Sequence, residues 1–168
     1  ATAQPMYDKI AELKTNNKLE GWIVDLRFNT GGNAAPMLLA LYDLLGDNVV
    51  WGNLDADKKR AHWTKLNKGA YDQEIKNPAA IKPKGELMNT AKVAVIIGGL
   101  TASSGEITAL SFKGRANTVF IGEKTMGKTT SNFIVNLPFG AFMALSSGYD
   151  CDRNKNFYTQ ILGCASIR

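Results

Sequence analysis

The sequence predicts an α/β fold with a mainly parallel central sheet. Short apolar runs, typical of strands buried on both faces, alternate with segments whose apolar residues recur at helical spacing. A helix between two such strands is the usual crossover of a parallel sheet. With 168 residues, 45% of them hydrophobic, the chain is long enough to form one domain around a buried core.

The first half of the chain predicts two helices and two strands. In chain order these are a helix over residues 5–14, a strand over 21–26, a helix over 34–45 and a strand over 49–51. Met6, Ile10 and Leu13 recur at helical spacing in the first helix, and Gly46 marks the end of the second. Residues 52–90 are polar and lysine-rich, and we interpret them as a hairpin and loop inserted into the domain.

The second half predicts further alternation and then a change of pattern. The elements are a strand over residues 92–97, a helix over 104–113, a strand over 118–121 and strand-like segments over 133–137, 141–146 and 157–162. Turn signals at Gly140 and residues 152–156 separate the last three segments. We therefore expect an antiparallel C-terminal segment added to the parallel sheet.

The charge distribution gives little support for a nucleic-acid partner. The net charge is +5, but the lysines are scattered, and the densest clusters lie at residues 58–60 and 65–68. Nucleic-acid binding would need a basic stripe interleaved with stacking aromatics. Trp51 and Trp63 flank the basic segment. We favour a solvated hairpin face and expect no nucleic-acid partner.

The histidine and cysteine content of the sequence predicts no metal site, and we expect no other cofactor. The chain has one histidine, His62, and the spacing of Cys151 and Cys164 matches no zinc signature. A disulfide between these cysteines and two free thiols remain alternatives. Apolar runs stay well short of the ~20 residues of a transmembrane helix, so none is expected.

Each of the three strongest predicted strands ends in a turn of small residues. We call residues 25–32 the first turn, 98–106 the second and 122–129 the third. In open parallel sheets the carboxyl ends of the strands line the ligand crevice. For one turn alone, glycine's freedom to adopt positive φ is a sufficient explanation. Together, the three turns predict a functional site at one edge of the sheet.

The second and third turns carry a candidate nucleophile and a candidate base. Ser103 lies where the second turn meets a helix, whose first N–H groups can stabilise an oxyanion. Lys128 lies in the third turn, 25 residues later, and a lysine amine can deprotonate a serine hydroxyl. His62 has no acid placed to orient it, so the lysine is the better candidate.

A lysine base near neutral pH needs a dry environment. The reference pKa of a lysine amine is about 10.4, so burial must lower it before the amine can accept a proton. Met126, Phe120 and Phe133 lie near the candidate lysine in sequence and are expected to form an apolar wall around it.

The third turn also fits the phosphate-binding pattern G-x-x-x-x-G-K-[ST]. That pattern requires a following helix, whose N-terminus holds the phosphates. Residues 130–137 are largely β-branched, aromatic or polar and are followed by Pro138, so they predict a poor helix. A nucleotide-binding P-loop is the least favoured alternative.

The three turns resemble motifs of the C-terminal processing peptidases, also called tail-specific proteases. Residues 25–32, DLRFNTGG, are similar to that family's D-L-R-x-N-x-G-G segment, and residues 101–107, TASSGEI, to its S-A-S-A-S-E-I nucleophile segment. Residues 122–128, GEKTMGK, are similar to its G-E-x-T-F-G-K lysine segment. The resemblance covers about residues 19–132, with the motifs in the family's order and with its Ser-to-Lys spacing.

The resemblance implies a serine endopeptidase that works through an acyl-enzyme on polypeptide substrates and without a cofactor. Ser103 would be the nucleophile and Lys128 the general base. Asn132 stands where many relatives have a glutamine that orients the lysine. The oxyanion hole would be formed by the backbone amides of Gly31, Gly32 and Ser104. The implied fold is a crotonase-like, ClpP-like core of βαβ units.

The resemblance also sets expectations for organisation and location. We expect residues 1–168 to form one peptidase core without the upstream PDZ or helical domain of many relatives. Bacterial members are mostly exported, which implies the periplasm or cell envelope. A non-catalytic binding module on the same scaffold, as in the retinoid-binding repeats of the eye, is the main alternative. The sequence does not indicate an oligomeric state.

Overall fold

The computed structural model describes residues 3–16, 19–59, 61–73 and 77–163 and has a mixed α/β fold. The helices are α1 (Gln4–Asn16), α2 (Ala34–Ala40), α3 (Tyr42–Leu45) and α4 (Ser104–Phe112), with a 3₁₀ turn at Pro138–Gly140. The strands are β1 (Trp22–Asp25), β2 (Asn48–Leu54), β3 (Ala61–Asn67), β4 (Ala70–Asp72), β5 (Val93–Ile97), β6 (Thr118–Gly122), β7 (Thr130–Asn136) and β8 (Phe142–Cys151).

A three-stranded parallel sheet in the order β1-β5-β6 carries the ends from which the three turns leave. In the central strand Val93, Val95 and Ile97 are buried in the hydrophobic core, which the helices share. On the outer strands Ile23 and Val119 are exposed. The sheet therefore has one face in the core and a second face with apolar side chains at its surface.

The larger sheet is antiparallel, which corrects the expectation of a mainly parallel one. Its order is β4-β3-β2-β8-β7, so residues 52–90 supply strands to it together with the C-terminal hairpin. Leu66, Tyr71 and Ile81 from this polar, lysine-rich region are buried in the core. Exposed polar residues concealed this pattern, because in β3 they alternate with buried residues, as Lys65 does between Thr64 and Leu66.

Two predicted elements differ in their bounds. The helix expected over residues 34–45 is interrupted at Leu41, whose φ of −94° and ψ of 12° separate α2 from α3, and Gly46 ends α3 with a φ of +70°. The strand expected over residues 157–162 is reduced to a single bridge between Phe157 and Cys151. The turn before it is closed on Asp152, whose carboxylate accepts the Asn154 and Asn156 backbone N–H groups.

Two residues singled out in the sequence, Trp51 and Cys151, now have defined surroundings. Trp51 is buried and its Nε1–H donates to the Tyr71 hydroxyl at 3.0 Å, so its ring is not available to stack on a base. Cys151 is buried in β8, and burial raises the pKa of its thiol to about 11. Cys164 lies outside the described residues, as does any disulfide to it. In the described part of the chain, no helix is long and apolar enough to cross a membrane.

Asp150 is a buried carboxyl between the C-terminal hairpin and the third turn. It is 1% exposed, accepts the Ser131 hydroxyl at 2.5 Å, and its backbone N–H donates to Thr129 O at 2.9 Å. Burial, with a smaller contribution from the negative charge of Glu106, raises the pKa of Asp150 to about 6. The folded chain therefore keeps this proton at pH values where the unfolded chain releases it.

We predict that Asp150→Asn stabilises the protein above pH 6. Between about pH 4 and pH 6 the wild type loses stability as pH rises, because the unfolded chain ionises first, and the loss reaches at most about 3 kcal/mol. Asparagine removes this cost and keeps an acceptor for Ser131. Urea unfolding at pH 8 and at pH 4 should show a gain for the variant at pH 8 and little difference at pH 4.

Asp57→Asn, at an exposed position, is the matched control and should change stability little at either pH. Equal destabilisation by Asp150→Asn at both pH values would contradict this account.

Candidate active site

The three turns meet at the carboxyl edge of the parallel sheet, as the strand pattern predicts. The first and second turns are joined by the Ala102 N–H, which donates to Asn29 O at 3.0 Å. The second and third are joined by the Met126 N–H, which donates to Thr101 O at 2.9 Å. Backbone hydrogen bonds therefore fix the relative positions of all three.

Thr101 links these turns through its side chain as well. The residue is fully buried, and its hydroxyl donates to Leu26 O at 2.8 Å while accepting the Gly98 N–H at 3.0 Å. A buried hydroxyl needs such partners, since leaving it without one costs about 1–3 kcal/mol. Thr101 thus connects the first turn, the second and, through its carbonyl, the third.

Ser103 occupies a strained backbone position immediately before α4. Its φ is +52°, a left-handed value that non-glycine residues rarely adopt and that costs about 1–3 kcal/mol. The side chain is half-buried, and the backbone N–H donates to Glu106 Oε2 at 3.0 Å. The surrounding contacts hold Ser103 in the sharp turn between β5 and α4.

Glu106 bridges the second and third turns with a carboxylate that is 0% exposed. Its Oε2 accepts the Ser103 N–H, and its Oε1 accepts the Thr125 hydroxyl at 2.5 Å and the Gly127 N–H at 2.8 Å. The sequence predicts only a carboxylate in the first turn of a helix, where it suits the helix dipole. Its contacts with the third turn arise from tertiary structure.

The first turn brings Gly31 against Ser103 and Gly32 against Ser104. Gly31 and Gly32 have φ values of +111° and +125°. A Cβ on Gly31 would lie 2.9 Å from the Ser103 Cβ, closer than real Cβ contacts. The Ser104 hydroxyl donates to Gly32 O at 2.8 Å. Only glycine therefore permits this close approach of backbone to nucleophile.

The three amides predicted for an oxyanion hole differ in availability. The Gly31 N–H donates to Asn29 Oδ1 at 3.1 Å and is engaged. The N–H groups of Gly32 and Ser104 have no hydrogen-bond partner within residues 3–16, 19–59, 61–73 and 77–163. One open amide thus lies in the first turn, and the other belongs to the residue that directly follows Ser103.

Lys128 lies at the end of the third turn, and its side chain is exposed. Among the hydrogen bonds of the described residues, none joins it to Ser103. The Asn132 side chain contacts β8, because its Oδ1 accepts the Ser146 hydroxyl at 2.9 Å and its Nδ2 donates to Thr130 O at 3.4 Å. The amide predicted to orient the lysine is thus held by the hairpin.

The apolar wall expected around the lysine is absent from the described residues. Met126 and Phe133 are 40% and 51% exposed, and Phe120 lies in the core with the Lys113 ammonium 3.8 Å from its ring centre. The expectation was wrong because residues near in sequence diverge here, one into the parallel sheet and another onto a hairpin with exposed faces. Sequence proximity could not predict that divergence.

The phosphate-binding alternative fails on its secondary structure. The third turn leads into β7 at Thr130, and its pairing with β8 continues to Asn136. The helix N-terminus that would hold a phosphate is therefore replaced by a strand.

Other candidate residues take supporting or remote positions. Asp25 and Arg27 form a two-point ion pair, and the Arg27 guanidinium lowers the pKa of Asp25. This pair braces the start of the first turn. His62 is exposed on β3, opposite Asn53 of β2. Neither position suggests a contact with the reacting atoms of a substrate.

Known proteins with similar sequences include processing proteases. The nisin-resistance protein of Lactococcus lactis subsp. lactis is 36% identical over 149 residues, which cover 84% of this chain and 44% of that protein. The carboxy-terminal processing protease of Bacillus subtilis strain 168 is 30% identical over 131 residues, 77% of this chain and 24% of that protein. This chain thus spans less than half the length of these relatives.

Solved structures with a similar fold are also known. A lipoprotein from Streptococcus agalactiae superposes with a TM-score of 0.72 at 27% identity, covering 97% of this chain and 56% of that one. The photosystem II D1 C-terminal processing protease shares the fold, with a TM-score of 0.61 at 20% identity, covering 94% and 37%. A model of peptidase family S41 matches residues 1–164, nearly the whole chain, and this protein therefore belongs to peptidase family S41.

Proposed function

We propose that this chain is the catalytic core of a serine endopeptidase with Ser103 as its nucleophile. One observation carries the proposal: Ser103 is held at a φ of +52° where three turns converge, with one open amide directly after it at Ser104 and another at Gly32 of the first turn. Strained backbone of this kind is typical of functional sites, since the surrounding structure must hold it in place. Membership of peptidase family S41 supports the same chemistry.

In the proposed mechanism Lys128 acts as the general base. Its neutral amine takes the proton of the Ser103 hydroxyl as Oγ forms a bond to the substrate's carbonyl carbon. The Gly32 and Ser104 amides stabilise the resulting oxyanion. Lys128 then protonates the leaving amine as the peptide C–N bond breaks. Water then attacks the acyl-enzyme carbonyl and gives a proton to Lys128. The lysine passes this proton to Ser103 Oγ as the acyl C–O bond breaks, which releases the acid and regenerates the serine hydroxyl.

The exposed position of Lys128 determines when this base forms. A long, flexible lysine stem can reach a neighbouring turn, and removing water from the amine favours its neutral form. We propose that a bound polypeptide covers the third turn and supplies that desolvation. Asn132, on the adjacent strand β7, would then orient the amine. This role does not depend on whether Asn132 keeps the hydrogen bond that it accepts from the Ser146 hydroxyl.

The substrate class and location follow from the relatives and are proposals for this chain. One relative is named a carboxy-terminal processing protease and another a nisin-resistance protein, which supports a polypeptide substrate. The structural neighbour from Streptococcus agalactiae is a lipoprotein, which supports a role at the cell envelope. We assign residues 1–168 to one peptidase core with a crotonase-like, ClpP-like arrangement, without a cofactor.

We predict that Ser103→Ala and Lys128→Ala each lower kcat/KM for a peptide substrate by about 10⁴-fold or more. The two residues act as one catalytic unit, so removing either one disables the other. Both substitutions should leave the thermal unfolding temperature nearly unchanged, since neither side chain is fully buried. Peptide hydrolysis and labelling by a fluorophosphonate probe measure the two effects. The probe should label the wild type and fail to label Ser103→Ala.

Lys124→Ala is the matched control for the base, since Lys124 is an exposed lysine of the same turn. It should retain wild-type turnover. Near wild-type turnover by Lys128→Ala at neutral pH would remove the lysine from the mechanism. A wild type that neither hydrolyses peptides nor reacts with the probe would favour the non-catalytic binding module.

We predict that Glu106→Gln destabilises the site and lowers activity together. A glutamine places an NH₂ where one carboxylate oxygen now accepts N–H or O–H donors, so at least one buried donor loses its partner. Unsatisfied buried donors cost about 1–3 kcal/mol each, which sets the expected loss in urea unfolding. Glu123→Gln, at an exposed position of the third turn, should change neither property. Unchanged stability and turnover in Glu106→Gln would contradict this bridging role.

A further inference from the structure

We propose that Asn29 is a positioning residue that holds the oxyanion-binding amide of the first turn in place. This inference rests on the proposed peptidase function and extends it to a residue outside the reacting groups. The resemblance assigns amides to the oxyanion hole, but it does not say what fixes their direction. The contacts of Asn29 supply that constraint.

The first contact is between its side chain and the glycine turn. Asn29 Oδ1 accepts the Gly31 N–H at 3.1 Å, two residues along the chain, which is the geometry of an Asx turn. This bond occupies the Gly31 amide and restrains two glycines whose backbone would otherwise be the most mobile in the turn. The Gly32 amide is left as the open donor of the first turn.

The second contact fixes which way the Asn29 carboxamide faces. Its Nδ2 donates to the Met37 sulfur of α2 at 3.5 Å, and the Thr108 hydroxyl of α4 also lies 3.5 Å from that sulfur. With nitrogen directed to Met37, the oxygen is directed to Gly31. The side chain is therefore oriented by two helices of the core rather than by the loop itself.

The third contact connects Asn29 to the nucleophile. Its carbonyl accepts the Ala102 N–H at 3.0 Å, one residue before Ser103. Gly105 lies against the same carbonyl, and any Cβ there would collide with it. One residue thus contacts both the glycine turn and the nucleophile turn. Asn29 sets the position of the Gly32 amide relative to the Ser103 hydroxyl.

Loss of this side chain should act on the transition state. Removing an oxyanion donor outright costs about 10²–10³ in kcat, and a misdirected donor retains part of its effect. We therefore expect Asn29→Ala to lower kcat about tenfold or more, with KM nearly unchanged. A peptide aldehyde, whose adduct also carries an oxyanion, should bind the variant more weakly by a similar factor.

The experiment compares Asn29→Ala with Asn29→Ser and Asn33→Ala. A serine hydroxyl can close the same turn, though more weakly, so Asn29→Ser should recover much of the lost kcat. Asn33 is the matched control because its Oδ1 accepts the Ala35 N–H at 3.0 Å, also two residues along. Asn33→Ala removes a similar bond in the same loop without touching Gly31, and its kcat should stay near that of the wild type.

Amide hydrogen exchange gives a readout that does not need activity. Asn29→Ala should speed exchange at Gly31, and Asn33→Ala should not. Unchanged exchange at Gly31, or equal kcat in Asn29→Ala and the wild type, would overturn the positioning role. An inactive wild type would instead contradict the proposed function, and the exchange measurement would still decide whether Asn29 restrains the turn.

Discussion

The site is organised around the carboxylate of Glu106, which accepts three hydrogen bonds in a place that water does not reach. A buried charge without partners would be very costly, so the second and third turns must keep their donors aimed at it. The position of Ser103 therefore depends on the third turn, although the chain between them forms a helix and a strand. The hydrogen bonds to Glu106 therefore fix the relative position of the second and third turns, which are distant in sequence.

The strained backbone of Ser103 is a consequence of that constraint. A left-handed φ at a serine would relax if its neighbours allowed it, but its N–H is bound to Glu106 and Gly31 is packed against its Cβ. The same contacts leave the Gly32 and Ser104 amides open. Stability and function are thus linked, since the bonds that hold the strained turn also arrange the proposed oxyanion donors.

The local elements of this site follow from the sequence, whereas their tertiary contacts do not. The apolar run of β5 and the serine turn before α4 indicate a strand-to-helix junction, and parallel strands require their carboxyl ends to meet. The partners of Glu106 in the third turn lie 19 and 21 residues away, and no local pattern specifies them. The antiparallel sheet was also concealed, because the exposed positions of β3 hold the polar residues His62, Lys65 and Asn67, which raise its overall polarity.

Under the proposed mechanism the two halves of the site differ in how completely they are formed. The nucleophile and the oxyanion amides are fixed by buried bonds, and preorganised dipoles of this kind supply a large part of catalytic power. Lys128 is exposed, and Asn132 is bound to Ser146 on the hairpin. Proton transfer therefore waits for the amine to be desolvated and turned towards Ser103. Because a bound peptide can do both, the chain would keep its nucleophile unactivated until a substrate occupies the third turn.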